Sequence, residues 1–328
     1  MKVAALLADR QRHWIELEQL CAKLESLGAW SHSPEVITRF STLYRSVCAD
    51  LALADAYQLP PGTVQYLHAL VGRCHNQLYR GKFFDFEAWG RVLLVDAPQT
   101  VFNDRCVQLV FVLFWGIFLL SAYLAANPAQ WPSYAEEAIG KEQMTQLETM
   151  YKNPPQGRDP NESYAMAGFY IRHNTGIGLQ CFVTGLFIVP GLGTLVFNAS
   201  FLGGCFGYMA RPDVPEGVNF YEFVTAHGPF ELTAIVLSAG AGLRLGISVL
   251  FTRGWTRLSS LQLAAQDAMP VMGSAMVLFF LAALVEGFVS PSQLPYWAKA
   301  SVAIISSLLL LIYFVVLGFP RGGIRAAR

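Results

Sequence analysis

The chain has 328 residues, 54% of them hydrophobic and only 14% charged, with a formal net charge of zero and a mean hydropathy of +0.39. Soluble globular chains carry about 25% charged residues, so an ordinary soluble protein is excluded and an integral membrane protein with one soluble portion is expected. No basic stripe with interleaved aromatics is present, which argues against a nucleic-acid partner.

The amino terminus does not read as a signal peptide, because Asp9 and Arg10 break its apolar run after a few residues. The chain is therefore expected to begin in the cytoplasm. Residues 1 to about 103 read as a cytoplasmic helical domain plus a juxtamembrane segment. Trp14, Leu17, Cys21, Leu24 and Leu27 recur at helical spacing, with Gly28 as a stop. Ser33-Pro34-Glu35 supplies an N-cap, a proline at the first helical position and an acid in the first turn. The helix that follows is expected to bury Val36, Phe40, Leu43, Tyr44, Val47 and Leu51. Pro60-Pro61-Gly62 breaks it before a third helix with Tyr66, Leu67, Leu70 and Val71 inward. On that helix His68 and His75 share a face; they are expected to be core or capping histidines rather than ligands. Residues 82–103 mix aromatics with charge and read as an interfacial segment.

The transmembrane bundle is expected over 104–328, with spans near 106–126, 169–189, 194–210, 228–251, 270–289 and 298–319. The polar stretch 127–168 reads as an extracytoplasmic loop containing a surface helix. Val189-Pro190-Gly191-Leu192-Gly193 is expected to turn a helical hairpin, and residues 253–268 to form a polar connection. With both termini inside, the inner side carries 16 Lys and Arg against 5 outside, which by the positive-inside rule sets both termini in the cytoplasm. The fold class is thus all-α: a polytopic bundle of about six membrane helices beside a soluble helical domain. No internal or inverted repeat points to a secondary transporter.

The fourth span is expected to be the centre of that bundle. At 100° per residue, His227, Glu231, Ala234, Ser238 and Gly242 fall within roughly 80° of one another, with Gly246 just beyond. That flank is polar above and slender below, and small residues four apart admit another backbone in a membrane. Gly203 and Gly207 offer a second such face, and the two faces together predict a homo-oligomer. Ionisable groups within a bilayer mark either helix-locking contacts or functional paths. Arg172, Asn174, His227, Glu231 and Glu286 are expected to form one buried network in the outer half, with Arg172–Glu231 or His227–Glu286 pairing, and Asn198 is a further polar group within the third span. Arg244 lies in the inner half, where it can snorkel to the cytoplasmic face.

His227-Gly-Pro-Phe-Glu231 lacks the second histidine of H-E-x-x-H, and no nucleophile triad or phosphate loop is present, so no enzymatic activity is expected. The six cysteines (Cys21, Cys48, Cys74, Cys106, Cys181 and Cys205) are scattered and without ligand spacing. Neither a metal site, nor a cofactor, nor a disulfide framework is expected.

The run His227-Gly228-x-x-Glu231, continuing to Gly240-Ala241-Gly242-Leu243-Arg244-Leu245-Gly246, resembles the stage II sporulation protein M family. Arg172-x-Asn174, Gly191-Leu192-Gly193-Thr194 with Asn198, Leu43-Tyr44-Arg45 and Tyr66-Leu67-His68-Ala69-Leu70-Val71 extend the resemblance over nearly the whole chain, with Ala199 departing from a glycine. It is similar to the long form that carries an added cytoplasmic helical domain. The resemblance implies a multi-pass scaffold of the bacterial cytoplasmic (inner) membrane that recruits partners in envelope remodelling. The partners implied are peptidoglycan-remodelling proteins, RDD-type membrane proteins or a MoxR-type AAA+ ATPase. The alternative is an ion- or proton-coupled channel or transporter working through the His/Glu/Arg network.

Overall fold

The computed structural model of the protein describes residues 2–27, 34–78 and 90–319. The expectations for Gly28, Ser33, residues 82–89 and the basic tail from Pro320 fall outside these, as does the side chain of Leu27. The described residues form helices and connections without a strand. The chain divides into two compact units, Met1–Asp85 and Phe86–Arg328.

The first unit packs three helices, α1 (Lys2–Leu27), α2 (Pro34–Ala56) and α3 (Pro61–Leu78). Its core is the predicted stripe: Trp14, Leu17, Cys21 and Leu24 meet Phe40, Leu43 and Val47 of α2 and Leu67, Leu70 and Cys74 of α3. Val36, Tyr44, Leu51, Tyr66 and Val71 are only partly buried. Asp50 is fully buried among them, accepting a 2.9 Å hydrogen bond from Trp14 Nε1, with Arg10 Nε 2.9 Å away. Hydrophobic spacing carries no sign of this buried acid. The two histidines of α3 are not core residues. Both are exposed, His68 beside Asp55 at 3.5 Å and His75 bonded through Nδ1 to the Tyr44 hydroxyl at 3.0 Å.

The second unit begins with a π-helical turn (Val92–Asp96) running into α4 (Ala97–Asn103). This juxtamembrane segment packs with the membrane helices, so the unit boundary lies earlier than residue 103: Tyr313 donates to the Leu93 carbonyl at 2.6 Å, and Phe102 packs edge-on against Phe319. Then follow α5 (Arg105–Ala126), α6 (Tyr134–Ile139), α7 (Lys141–Tyr151), α8 (Pro160–Gly185), α9 (Ile188–Met209), α10 (Gly217–Val224), α11 (Gly228–Leu250), α12 (Arg257–Leu284) and α13 (Tyr296–Leu311). The last two continue as π-helical turns, Val285–Val289 and Ile312–Val316.

Five helices among the described residues are long and apolar enough to cross a membrane: Arg105–Ala126, Ile188–Met209, Gly228–Leu250, Arg257–Val289 and Tyr296–Val316. The expected second span is not among them. It belongs to α8, which starts at Pro160 behind an Asp159 cap and carries Glu162, Arg172, His173 and Gln180 in its 26 residues. The expected polar connection after residue 253 is largely helix: Thr256 caps α12, which passes through Pro270 without ending. The hairpin turn falls at Leu186–Phe187, ahead of Pro190. Pro190 sits in the first turn of α9, where backbone N–H groups have no intrahelical acceptor and a missing donor costs little.

The stretch 127–168 is not a free excursion either. Gly140, at φ +88°, breaks its helix into α6 and α7. Ala135 and Ile139 are buried with Cys205, Tyr208, Met209, Val214 and Phe220 at one end of the bundle. α11 is the central helix, packed against α5, α8 and α12. Inside the bundle 67% of its membrane-length window is buried, against 11% for the last span. The glycine faces are taken up within the chain. Gly203 and Gly207 lie against the α5 backbone at Phe118 and Ala122, while Gly242 and Gly246 lie against α8 at Phe182 and Gly185. Ser238 is fully buried where α11 meets Gly178 of α8 and Phe279 of α12. The glycine faces therefore give no reason to expect a homo-oligomer.

Candidate functional site

Three ligand-type side chains converge where α11 begins. His227 is the N-cap residue of α11, Glu231 follows one turn later, and Glu286 enters from the π-helical turn after α12. A π-helical turn inserts one residue into the helical register, a feature frequent at functional sites. One ring nitrogen of His227 and one carboxylate oxygen from each glutamate lie within 4.8 Å of one another, and His227 Nε2 stands 3.7 Å from Glu231 Oε2. His227 is buried and Glu231 is 19% exposed at its side chain.

The surroundings orient each group. His227 Nδ1 shares a 2.8 Å hydrogen bond with Ser290 Oγ. Asn174 of α8, itself buried, donates through Nδ2 to Glu286 Oε2 at 3.2 Å. The Ser290 carbonyl accepts from the fully buried Lys299 at 2.9 Å, and Lys299 Nζ lies 3.8 Å from Glu222 of α10. Phe223 packs its ring against the imidazole at 5.8 Å, and the Arg158 guanidinium lies 6.0 Å from the Phe223 ring centre while donating to the Tyr170 hydroxyl at 3.3 Å. The connections holding these groups are themselves latched: Gly157 N donates to the Pro291 carbonyl and Gln293 Nε2 to the Gln156 carbonyl, both at 2.8 Å. On α7, outside the membrane-length helices, Tyr151 feels the cluster directly. Burial first, then the Glu286 carboxylate among neighbouring groups, pushes its hydroxyl well above the ordinary tyrosine value.

The structure brings His227, Glu231, Glu286 and Asn174 together, with His227 beside Glu231 and Asn174 beside Glu286 in place of the expected Arg172–Glu231 or His227–Glu286 pairs. It does not bring Arg172 or Asn198. Arg172 stands two positions from Asn174, about 200° around the helix, and is exposed on the far side of α8. Asn198 bonds to the Thr194 carbonyl at 2.8 Å and approaches Cys181 Sγ at 3.9 Å in the seam of α8 and α9. No lysine or arginine among the described residues forms an ion pair with Glu231 or Glu286. Ionisable groups at membrane depth cost roughly 2.5–3.5 kcal/mol each on insertion scales, so two carboxylates sharing one imidazole call for a proton or a cation.

Arg244 belongs to a different cluster and does not simply snorkel. Its guanidinium bonds Asp104 Oδ2 at 2.6 Å and Asp267 Oδ2 at 2.5 Å, joining α11 to the start of α5 and to α12. Asp104 is fully buried at its side chain, caps α5 through the amides of Cys106 and Val107, and so does two tasks. Sequence reasoning missed Asp104, Asp267, Ser290, Lys299, Glu222 and Arg158. Asp104, set immediately before an apolar run, carries a cap signature that could have found it, and Lys299 is legible as a charge at the start of the expected last span. Arg158 and Ser290 lie in connections, Glu222 on the short α10 and Asp267 in the polar first part of α12.

A helical bundle with a buried His/carboxylate cluster and five helices of membrane-crossing length defines a helical membrane protein. Residues 109–291, more than half of the chain, match the family model for stage II sporulation protein M. The chain belongs to that family. Residues 4–80 match a domain of unknown function (DUF8413), in line with a long form. No curated protein and no solved structure matches the chain.

Proposed function

We propose that this protein is a non-enzymatic, multi-pass scaffold of the bacterial cytoplasmic membrane, with both termini inside, that gathers partner proteins in envelope remodelling. The observation that carries this reading is the first unit. Its three helices close a core of their own around Trp14, Leu17, Phe40, Val47 and Leu67, so the chain couples a self-contained helical module to a membrane bundle. This orientation takes α8, a 26-residue helix packed against α11, as a sixth crossing beside the five apolar helices; with six, the excess of Lys and Arg on one side of the spans supports it. The partners we propose are of the peptidoglycan-remodelling, RDD-type or MoxR-type AAA+ kind.

The test is affinity isolation from cross-linked native membranes, comparing the full chain with one lacking residues 1–85. A defined set of proteins is expected with the full chain and not with the shortened one; identical sets from both would remove the module from the proposal. A transporter working through the His/Glu cluster is the competing reading. The full chain in liposomes is expected to move neither protons nor ions beyond empty vesicles, and a flux that disappears in Glu231→Gln would replace the scaffold with that transporter.

A further inference from the structure

We propose that His227, Glu231 and Glu286 bind one divalent transition-metal cation, with Ser290 and Asn174 holding the ligands in place. The donor set is one imidazole and two carboxylates, a mixture that suits zinc, manganese or ferrous iron. His227 and Glu231 are four apart on one helical turn, and Glu286 closes the set from a separate helix, so the triad is spread over two packed elements. Ligands held about 2.1 Å from zinc sit roughly 3.4 Å apart at tetrahedral angles. The 3.7 Å between His227 and Glu231 is close to that already, and closing the 4.8 Å outer limit takes a movement of about 1.4 Å, within reach of rotating a glutamate side chain.

Two further observations point to a cation instead of a chance meeting of acids. Metal-bound histidines characteristically donate their other ring N–H to a fixed oxygen; a proton on His227 Nδ1 given to Ser290 Oγ leaves the Nε2 lone pair facing Glu231. Among the described residues the carboxylates also form no ion pair with a lysine or arginine. Arg158 is turned to Tyr170 and Glu162, Lys299 to Ser290 and Glu222, and Arg172 points away. The absence of a histidine pair in the sequence hides such a site, because the third ligand is 55 positions from the second in Glu286. A scaffold needs no metal, so this inference and the scaffold reading stand or fall separately.

The full chain in detergent, stripped with EDTA, loaded with zinc chloride and desalted, is expected to retain about one zinc per chain by elemental analysis, in the three-ligand arrangement. Glu231→Gln and Glu286→Gln keep side-chain shape while removing a ligand charge. Each is expected to weaken zinc retention by more than roughly tenfold, the loss seen even for an orienting partner. Equimolar calcium should leave the zinc in place. Should a variant fail to elute as the parent does, Mn²⁺ bound to the unmodified chain serves instead, and pulsed EPR is expected to show one coupled imidazole nitrogen. Zinc at background in the parent, full retention in both variants, displacement by calcium, or bound manganese without nitrogen coupling would each overturn the proposal.

Discussion

Arg244→Met is expected to destabilise the membrane unit by about 3 kcal/mol, the lower edge of the range for breaking a buried ion pair. The lower edge applies because Asp104 keeps the Cys106 and Val107 amides as donors when the guanidinium is gone. The loss arises from the carboxylate left behind: Asp104 has no solvent access at its side chain, whereas Asp267 is 57% exposed and can rehydrate. Asp104→Asn retains the capping oxygen without the charge, so adding it to Arg244→Met should restore most of the lost stability. Asp267→Asn alone should fall within about 1 kcal/mol of the parent, as for exposed pairs. Thermal unfolding of the full chain in detergent, followed by helical circular dichroism, separates these cases. A shift of roughly 6–12 °C is expected for Arg244→Met, at about 2–4 °C per kcal/mol for a unit of this size. If Asp267→Asn costs as much as Arg244→Met, or Asp104→Asn rescues nothing, the buried carboxylate is not what the arginine compensates.

How far the sequence reaches depends on whether a feature is local. The i, i+4 spacing of His227 and Glu231 on an apolar helix is enough to put both on one face, and the small residues below them are enough to foresee a central, closely packed helix. Asn174 and Glu286 are legible as polar groups in apolar surroundings. Their pairing is not, because it depends on the phase of α8 against α12. The sequence reading expects both Arg172 and Asn174 in the network, yet residues two apart lie about 200° around a helix and cannot share a face; the phase of α8 turns Asn174 inward and leaves Arg172 exposed. The π-helical turn at Val285–Val289 changes the register of Glu286 by one position and has no signature in the residues themselves. Arg244 shows the same limit: its charge is plain in the sequence, yet its partners come from 140 residues upstream and 23 downstream. Chain breaks are misread for a related reason. Pro190 looks like a stop but falls in a first helical turn, and the polar stretch 253–268 looks like a connection but continues as helix through Pro270, which is tolerated within a helix held by its neighbours.

A single methyl group is expected to test the central packing. A Cβ added at Gly242 would stand 2.3 Å from the Phe182 carbonyl oxygen and 2.9 Å from two further backbone atoms of α8. No side-chain rotation relieves that contact, since every atom involved is main chain. Gly242→Ala must therefore push α8 and α11 apart, and overpacking of a close-fitted seam costs typically 1–3 kcal/mol, occasionally more. Gly176→Ala supplies the contrast: the same change, on α8 itself, where nothing lies within 4 Å. There the higher helix propensity of alanine should leave stability equal or raise it by up to about 1 kcal/mol. Unfolding temperatures that move in opposite directions for the two variants are the expected result, and equal ones would show that α8 and α11 are not in backbone contact. Displacing α8 also separates two layers of the polar cluster. His227, Glu231 and Glu286 lie on α11 and the turn after α12 and should stay together, whereas Asn174 travels with α8 and its 3.2 Å bond to Glu286 should lengthen. Gly242→Ala should accordingly weaken zinc retention by no more than the roughly tenfold of a lost orienting contact, leaving the three ligands able to close on a metal.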